Sequence, residues 1–478
     1  MREALDHLVL YFLEKGYLHE DNLDYARNRA FRILEVQGWT LDRNITSLNT
    51  PSMDLDVIIE YALKNGLIKN QGATFIDDFI GELTDCLIDS PVEVTRNFEN
   101  VKQSTGIKQA TDFFYKFCKD IDYIKLKRTK KNLNWKHPSR YGDLQITVNL
   151  SKPEKTPEEI KLAALSKSDY PKCALCVENV GLGGITHPPR QHHRIIRMLL
   201  AKDDYYFQYS PYAYFNEHCI VLSKVHRPMK IDSHTIDVMM DFVCQVPHYF
   251  IAGNADLPIV GGSILSHDHF QGGNTIFPVE TTDFESVVKS DKGETGILNW
   301  PVSTIKITGD KEYVKTHANK LLEAWIKYNN QNLKIISHTG ETRHNTVNLF
   351  FRYSKTLNEY TCIMLLRNNR TDSEHPDGIF HTRGLFQVIK KENIGIIEAL
   401  GLAILPPRMK KEMEEFTELP QFKDWLSSFP EEEQEKGPEY LIGETFRMLL
   451  EDVGVFKKTE SGLHAFRAFI KESTNDRA

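Results

Sequence analysis

Apolar residues at helical spacing dominate the first part of the chain. In each of five segments, apolar side chains recur every three or four positions, so that they gather on one face of a helix. The first of these helices carries Leu5, Leu8, Val9, Phe12 and Leu13 and is followed by Gly16, a typical end signal. The other predicted helices cover residues 22–34, 52–64, 75–88 and 112–118. We therefore predict a helical N-terminal region over residues 1–130, with a role as scaffold or in oligomerisation.

The pattern changes after a basic run at residues 125–131. Residues 144–150 alternate apolar and polar side chains, which is typical of a strand with one buried face. Further strands are predicted at 205–209, 218–222, 261–273, 334–337, 346–353 and 360–366, and helices at 234–250, 391–403, 407–416 and 439–451. This mixture predicts an α+β fold with antiparallel sheets, divided into a middle domain over residues 131–300 and a C-terminal α+β domain over residues 301–478.

Composition narrows the functional class. Of the 478 residues, 41% are hydrophobic and 26% are charged, which is ordinary for a soluble globular protein of two or three domains. The formal net charge of -7 gives no reason to expect general nucleic-acid binding. No apolar run is long enough for a membrane span and the N-terminus lacks a signal peptide, so we expect a cytoplasmic protein. Seven cysteines form an odd, sparse set that does not indicate a disulfide framework.

The segment over residues 261–273 concentrates the candidate chemistry. It places His267, His269 and Gln271 at alternate positions between two pairs of glycines. On a strand, alternate side chains point to one face, so these three would act together while Asp268 and Phe270 turn away. The glycines would let the backbone come close to a ligand such as a phosphate.

A metal site is one interpretation of the nearby cysteines. Cys173 and Cys176 have the C-x-x-C spacing shared by zinc sites and redox dithiols, and zinc needs two more ligands. His226 and His267 are candidates and would complete a closed tetrahedral site of structural type. The alternative, with His226 in a surface loop and the cysteines in the core, has about equal support from the spacing.

If His267 holds a metal, His269 is left to act on a substrate. An imidazole can attack phosphorus and form a phosphoramidate intermediate, which splits one hard transfer into two easier steps. Gln271 could donate an amide N–H to a phosphate oxygen, but it cannot protonate a leaving group. The pattern therefore favours transfer over hydrolysis, although isolated H-x-H pairs are common in proteins without such a site.

The motif His267-Asp268-His269-Phe270-Gln271 resembles the active-site motif of the galactose-1-phosphate uridylyltransferases, in particular the longer bacterial type within the histidine-triad superfamily. Other matches to the family are the zinc ligands Cys173, Cys176, His226 and His267, the upstream Asn254 and Ser263, and the nucleotide-contacting candidates Asn216 and Lys152. The sequence departs from the common branch at Asp268, where that branch has proline, and by one extra residue between Ser263 and the motif. Residues 397–402 contain no histidine, so the second metal of the common branch is not expected.

The resemblance implies two related histidine-triad α+β domains, with catalysis in residues 131–300, and a homodimer. It also implies one structural zinc per chain and UMP transfer between UDP-glucose and galactose 1-phosphate by a ping-pong mechanism, with UDP-galactose and glucose 1-phosphate as products. His269 would carry the uridylyl group, assisted by Gln271. Three alternatives remain: a related AMP-transferring enzyme, a non-catalytic zinc-stabilised sugar-nucleotide sensor, and a phosphohydrolase, which Gln271 disfavours.

Overall fold

The structure is a computed structural model that describes residues 1–45, 49–151, 170–184, 188–382, 384–390 and 393–474. The helices of the N-terminal region are α1 (Arg2–Glu14), α2 (Leu23–Ile33), α3 (Pro51–Lys64), α4 (Ala73–Cys86), α5 (Pro91–Thr105), α6 (Ile107–Asp120) and the short α7 (Leu126–Thr129). The predicted helical region is therefore confirmed. Helix α5 was not predicted because it buries only Val94 and Phe98, although a capping box of Ser90 and Glu93 marks its start.

A ten-stranded sheet forms the centre of the molecule. Its strands are β3 (Ile196–Leu200), β4 (Asp203–Tyr209), β5 (Cys219–Ser223), β6 (Phe250–Gly253), β7 (His269–Gly273), β8 (Phe284–Ser290), β9 (Gly293–Leu298), β10 (Thr304–Gly309), β13 (Asn345–Ser354) and β14 (Glu359–Asn368). Their spatial order is β3-β4-β5-β7-β6-β13-β14-β10-β9-β8, and every adjacent pair is antiparallel. The predicted α+β class with antiparallel sheets is confirmed.

The sheet consists of two halves with the same strand order. Within each half we count the strands in chain order. The first strand lies at the outer edge of the sheet, the second and third follow it, the fifth comes next, and the fourth lies at the junction of the halves. One long helix follows the third strand of each half: α8 (Ser233–Gln245) after β5 and α9 (Lys311–Lys327) after β10. The halves meet where β6 pairs with β13, so Leu349 lies opposite Gly253. The second half begins at β8, whereas the domain boundary predicted near residue 300 falls between β9 and β10.

A smaller sheet and the remaining helices complete the fold. Strands β1 (Leu133–Ser139) and β2 (Gly142–Val148) form a hairpin, and β15 (Leu402–Leu405) adds to β2 in parallel. The short hairpin strands are β11 (His338–Thr339) and β12 (Thr342–Arg343), and the C-terminal helices are α10 (Ile396–Ala399), α11 (Met409–Glu414), α12 (Lys423–Ser427), α13 (Glu431–Gln434), α14 (Pro438–Asp452) and α15 (Glu460–Thr474). None of the helices in the described ranges is long and apolar enough to cross a membrane.

The large sheet separates two hydrophobic cores. Residues of the first core alternate along the strands with residues of the second, as for Ile251 between Phe250 and Ala252 in β6. The N-terminal helices belong to the first core: the ring centroid of Phe114 in α6 lies 6.1 Å from that of Phe207 and 5.5 Å from that of Tyr209. The small sheet and helices α10, α11, α12 and α14 belong to the second core.

Three predicted elements outside the segment 261–273 differ from the structure. The helix predicted to reach residue 250 ends at Gln245, because Pro247 disfavours helix in the residue before it, and Phe250 opens β6. Residues 334–337 form no strand: Lys334 has a left-handed φ of 58° after a 3-10 turn. Within the predicted helix at 391–403, α10 covers only Ile396–Ala399, and the apolar residues from Leu402 form β15.

Candidate functional site

Strand β7 places two of the predicted residues on one face. It lies between β5 and β6, with His269 opposite Leu222 and Gln271 opposite Ile220 and Ala252. Phe270 packs into the first core, so His269 and Gln271 point to the other face, as predicted. The prediction that His267 shares this strand is wrong: β7 begins at His269, and the backbone N–H of His267 closes a turn onto the carbonyl of Ile264.

Four predicted metal ligands converge next to this strand. The ligand atoms of Cys173, Cys176, His226 and His267 lie within 4.8 Å of one another. The sulfurs are 3.6 Å apart, and the four sulfur-to-Nδ1 distances are 3.1, 3.2, 3.7 and 3.8 Å. A tetrahedral ion with ordinary zinc–sulfur and zinc–nitrogen bonds needs ligand atoms about 3.4–3.8 Å apart, so the donor set fits such an ion.

Neighbouring groups orient these ligands. The Nε2–H of His267 donates to the carbonyl of Ser223 at 2.8 Å, because a carbonyl can only accept, and this leaves the Nδ1 lone pair directed at the sulfurs. The side-chain amide of Asn179 donates to the carbonyls of Cys173 and Cys176, both at 2.8 Å. Burial raises the pKa of the Cys176 thiol to about 11, so a bound cation would be needed to ionise it at neutral pH.

His269 is a buried, neutral imidazole with a defined tautomer. Its Nδ1–H donates to the carbonyl of His267 at 2.7 Å. Burial lowers the pKa of His269, and although this hydrogen bond opposes the shift, the net direction is downward. With the proton on Nδ1, the lone pair of Nε2 faces no hydrogen-bond donor within the described part of the chain. This is the protonation state that a nitrogen nucleophile requires.

Gln271 contacts a histidine that the sequence did not single out. Its Oε1 lies 3.2 Å from Nε2 of His218, the residue that precedes β5. His218 is 3% exposed, and burial lowers its pKa to about 4, so it is neutral. The ring contacts those of Tyr214 and Phe215, with centroids 5.0 and 4.4 Å away.

Asp268 links the segment of the predicted metal ligands to strand β4. Its Oδ2 accepts a hydrogen bond from the hydroxyl of Tyr205 at 3.0 Å and two from the guanidinium of Arg227 at 3.1 and 3.2 Å. Arg227 follows the predicted ligand His226, and its carbonyl accepts from the backbone N–H of Asp268 at 2.8 Å. The carboxylate that departs from the common branch therefore turns away from the side of His269 and Gln271, as predicted.

The four other predicted site residues have different surroundings. Asn254 is buried at the end of β6, and its Oδ1 accepts from the backbone N–H of Ile396 at 3.0 Å. Ser263 is exposed, without a hydrogen bond to any residue that the structure describes. Asn216 is exposed beside the end of β7, and its carbonyl accepts from Asn274 at 3.2 Å. Lys152 lies outside the described residues.

Comparison with known proteins gives consistent matches. Residues 17–228 match the family described as galactose-1-phosphate uridyl transferase, N-terminal domain, and residues 243–425 match the corresponding C-terminal domain. Galactose-1-phosphate uridylyltransferases of Fusobacterium nucleatum and Bacillus subtilis are 41% and 39% identical, each over 98% of this chain and 97% of the relative. A crystal structure of yeast Ap4A phosphorylase aligns with 12% identity over 64% of this chain and 90% of that one, with a TM-score of 0.34, which is too weak to bear on fold or activity.

Identity near 40% over nearly the whole length of both chains shows family membership. The chain belongs to the galactose-1-phosphate uridylyltransferase family.

Proposed function

We propose that this protein transfers UMP between UDP-glucose and galactose 1-phosphate by a ping-pong mechanism through a uridylyl group on His269. The observation that carries the proposal is the tautomer of His269, whose Nδ1–H is held by the carbonyl of His267 so that Nε2 keeps its lone pair. Family membership supports the substrates, because the relatives are named galactose-1-phosphate uridylyltransferases.

In the first half-reaction, the Nε2 lone pair of His269 attacks the α-phosphorus of UDP-glucose. A P–N bond forms, the P–O bond to glucose 1-phosphate breaks, and glucose 1-phosphate leaves as an anion without needing a proton. The imidazole gains positive charge as the bond forms, and the His267 carbonyl at Nδ1 stabilises that charge. In the second half-reaction, a phosphate oxygen of galactose 1-phosphate attacks the same phosphorus, and the P–N bond breaks to give UDP-galactose.

Gln271 shares the strand face of His269 and donates an amide N–H to a non-bridging phosphate oxygen. This contact stabilises the charge that develops in the transition state. A glutamine supplies no proton to a leaving group, so the arrangement suits a phosphate leaving group and excludes assistance to a poor one. We place Asn254, Ser263, Asn216 and Lys152 at the substrate only by resemblance to the family.

The mechanism is tested by mixing the protein with UDP-glucose labelled in the α-phosphate, without acceptor. We expect one acid-labile adduct per chain, lost in His269→Ala and kept in the control His464→Ala, whose side chain is exposed on α15. Adduct in His269→Ala would disprove the assigned nucleophile. Labelling by ADP-glucose instead would support AMP transfer, net release of UMP would indicate a hydrolase, and binding without adduct would indicate a sensor.

We also propose that Cys173, Cys176, His226 and His267 hold one structural zinc ion per chain in a homodimeric enzyme. The ion would tie the turn at Cys173 to the segment that leads into β7, and it would supply folding stability. Protein purified without chelator should contain about one zinc per chain. Cys173→Ser should lose the metal and unfold at lower urea concentration, whereas Cys244→Ser, outside the cluster, should keep it.

A further inference from the structure

His218 lies where it can act on Gln271. It precedes β5, and since Ile220 pairs with Gln271, His218 falls two residues along on the same face of the sheet. Its backbone is held by Ser210, whose N–H donates to the His218 carbonyl at 2.8 Å. The side chain is buried against Tyr214 and Phe215, and its Nε2 lies 3.2 Å from Gln271 Oε1.

The second ring nitrogen of His218, Nδ1, is buried and has no hydrogen-bond partner among the described residues. A neutral imidazole carries one N–H, so two arrangements are possible. In the first, Nε2–H donates to Gln271 Oε1 and Nδ1 keeps a lone pair. In the second, the proton is on Nδ1, the Gln271 amide is reversed, and its nitrogen donates to Nε2.

The two arrangements differ in which buried group of His218 is left without a hydrogen bond. The first leaves an acceptor lone pair without a partner, and the second leaves a buried N–H donor without one; among backbone groups, unpaired buried donors are rarer than unpaired acceptors. The first arrangement is therefore favoured. It binds the oxygen of Gln271 to His218 and leaves both amide hydrogens of Gln271 directed away from His218.

We infer that His218 is a positioning residue that sets the orientation of the Gln271 amide, so that its N–H groups, and not its oxygen, face the phosphate of the nucleotide sugar. The inference rests on the proposed function, in which Gln271 donates to that phosphate. An amide free to rotate would also present its oxygen to the phosphate, and the two oxygens would repel each other. In this role His218 acts through Gln271 and does not itself contact the substrate.

The test uses two variants of equal side-chain length. His218→Gln keeps an N–H donor near the position of Nε2, and His218→Met has none. The rate of uridylyl-enzyme formation from UDP-glucose is measured in a single turnover, together with the UDP-glucose concentration at half-maximal rate. His218→Phe, which keeps a ring beside Tyr214 and Phe215, serves as a second donor-free variant if the methionine variant does not fold.

We expect His218→Met to lower the maximal rate about tenfold to a hundredfold, less than complete removal of the donor by Gln271→Ala. The half-saturating concentration should change less than about threefold, and His218→Gln should recover most of the rate. Because His218 acts through Gln271, the double variant with Gln271→Ala should be no slower than Gln271→Ala alone. Unfolding in urea and zinc content serve as controls for a purely structural loss.

Two results would overturn this inference and leave the proposed function intact. One is a normal rate in both donor-free variants while Gln271→Ala is slow. The other is a further loss of the same size when His218→Met is added to Gln271→Ala. A normal rate in Gln271→Ala itself would instead remove the proposed role of Gln271, and absence of the His269 adduct would remove the proposed mechanism, so the failures are distinguishable.

Discussion

Two histidines two residues apart hold opposite tautomers because different carbonyls face them. The Ser223 carbonyl takes the proton of His267 at Nε2, and the His267 carbonyl takes the proton of His269 at Nδ1. The first ring therefore presents Nδ1 to the sulfurs, and the second keeps its lone pair on Nε2. The difference between the two rings has a backbone origin, and side-chain identity alone does not contain it.

Asp268 gives a prediction at the residue scale. Asp268→Ala removes the acceptor for Tyr205 and Arg227, which hold the segment after His226 against the start of β7. Outer partners of metal ligands are commonly worth a factor of about 10–100 in metal affinity, and we expect a loss of zinc affinity in that range. The free energy of unfolding should fall by about 1–3 kcal/mol. Competition with a zinc chelator and urea titration measure the two effects.

The control is Asp204→Ala, on strand β4. Its carboxylate pairs with the exposed guanidinium of Arg197 at 2.7 Å, and such surface pairs contribute about 0–1 kcal/mol. If Asp268→Ala has the same zinc affinity as Asp204→Ala, Asp268 does not support the predicted metal ligands.

At the element scale, the packing of α10 against the segment before β7 depends on one glycine. Gly261 has φ +82°, and a Cβ there would lie 2.0 Å from the carbonyl oxygen of Ile394. Gly181 has nearly the same φ of +81° but no atom within 4 Å of the added Cβ. We expect Gly181→Ala to cost about 1 kcal/mol from the backbone alone, and Gly261→Ala to cost at least about 2 kcal/mol more. Urea unfolding of both variants measures the two losses in free energy. Equal losses would mean that the backbone at Ile394 can move away from an added Cβ at Gly261.

A second element-scale prediction concerns α14, which packs on β1. Burial alone would raise the pKa of Glu444, but hydrogen bonds from His137 and Arg447, both at 2.8 Å, lower it to about 2. A lowered carboxyl pKa stabilises the fold above the unfolded value of about 4.3, and this contribution is lost as pH falls towards the folded value. Glu444→Gln should therefore lower the free energy of unfolding by about 1–3 kcal/mol at pH 7.

The pH dependence identifies the cause. The difference in the free energy of unfolding between wild type and Glu444→Gln is measured by urea titration. This gap should stay constant from about pH 7 to pH 5.5 and narrow below about pH 4.5. Glu432→Gln, on the exposed helix α13, should show no gap at any pH. A gap that widens with acidification would contradict the assignment of the stabilising charge to Glu444.

The elements that the sequence predicted are those with one clearly periodic face. The helix at 52–64 and the strand at 346–353 were found within one residue at each end, because their apolar positions repeat without interruption. The run from Leu402 was misassigned because a short apolar run fits a buried strand or a buried helix equally well. Likewise, His267, His269 and Gln271 were singled out because they are adjacent in sequence, and the more distant Cys173, Cys176 and His226 because their types and spacing resemble the family's. His218 was missed because its contact with Gln271 arises only when β5 pairs with β7.

At the scale of the whole molecule, pairing of β6 with β13 joins the two half-sheets into one. Residues 251 and 351 pair across this junction, and no local pattern in the sequence indicates such a distant contact. The N-terminal helices pack on the same side of this sheet as Phe270, in the first core, whereas His269 and Gln271 point to the opposite side. The helical region therefore lies on the side of the sheet away from His269 and Gln271, where Phe114 contacts β4.

This arrangement predicts that the helical region and the first half-sheet unfold together. Phe114 is fully buried between α6 and β4, and removing a buried phenylalanine ring costs about 3–5 kcal/mol. Phe114→Ala should lower the free energy of unfolding by that amount. In a urea titration, the helical circular dichroism signal and adduct formation at His269 should then both be lost at the same, lower urea concentration. The control Tyr25→Ala, whose side chain is 67% exposed on α2, should shift neither. If Phe114→Ala moved the circular dichroism transition and left adduct formation at its original urea concentration, the helical region would be an independent unit that merely adjoins the sheet.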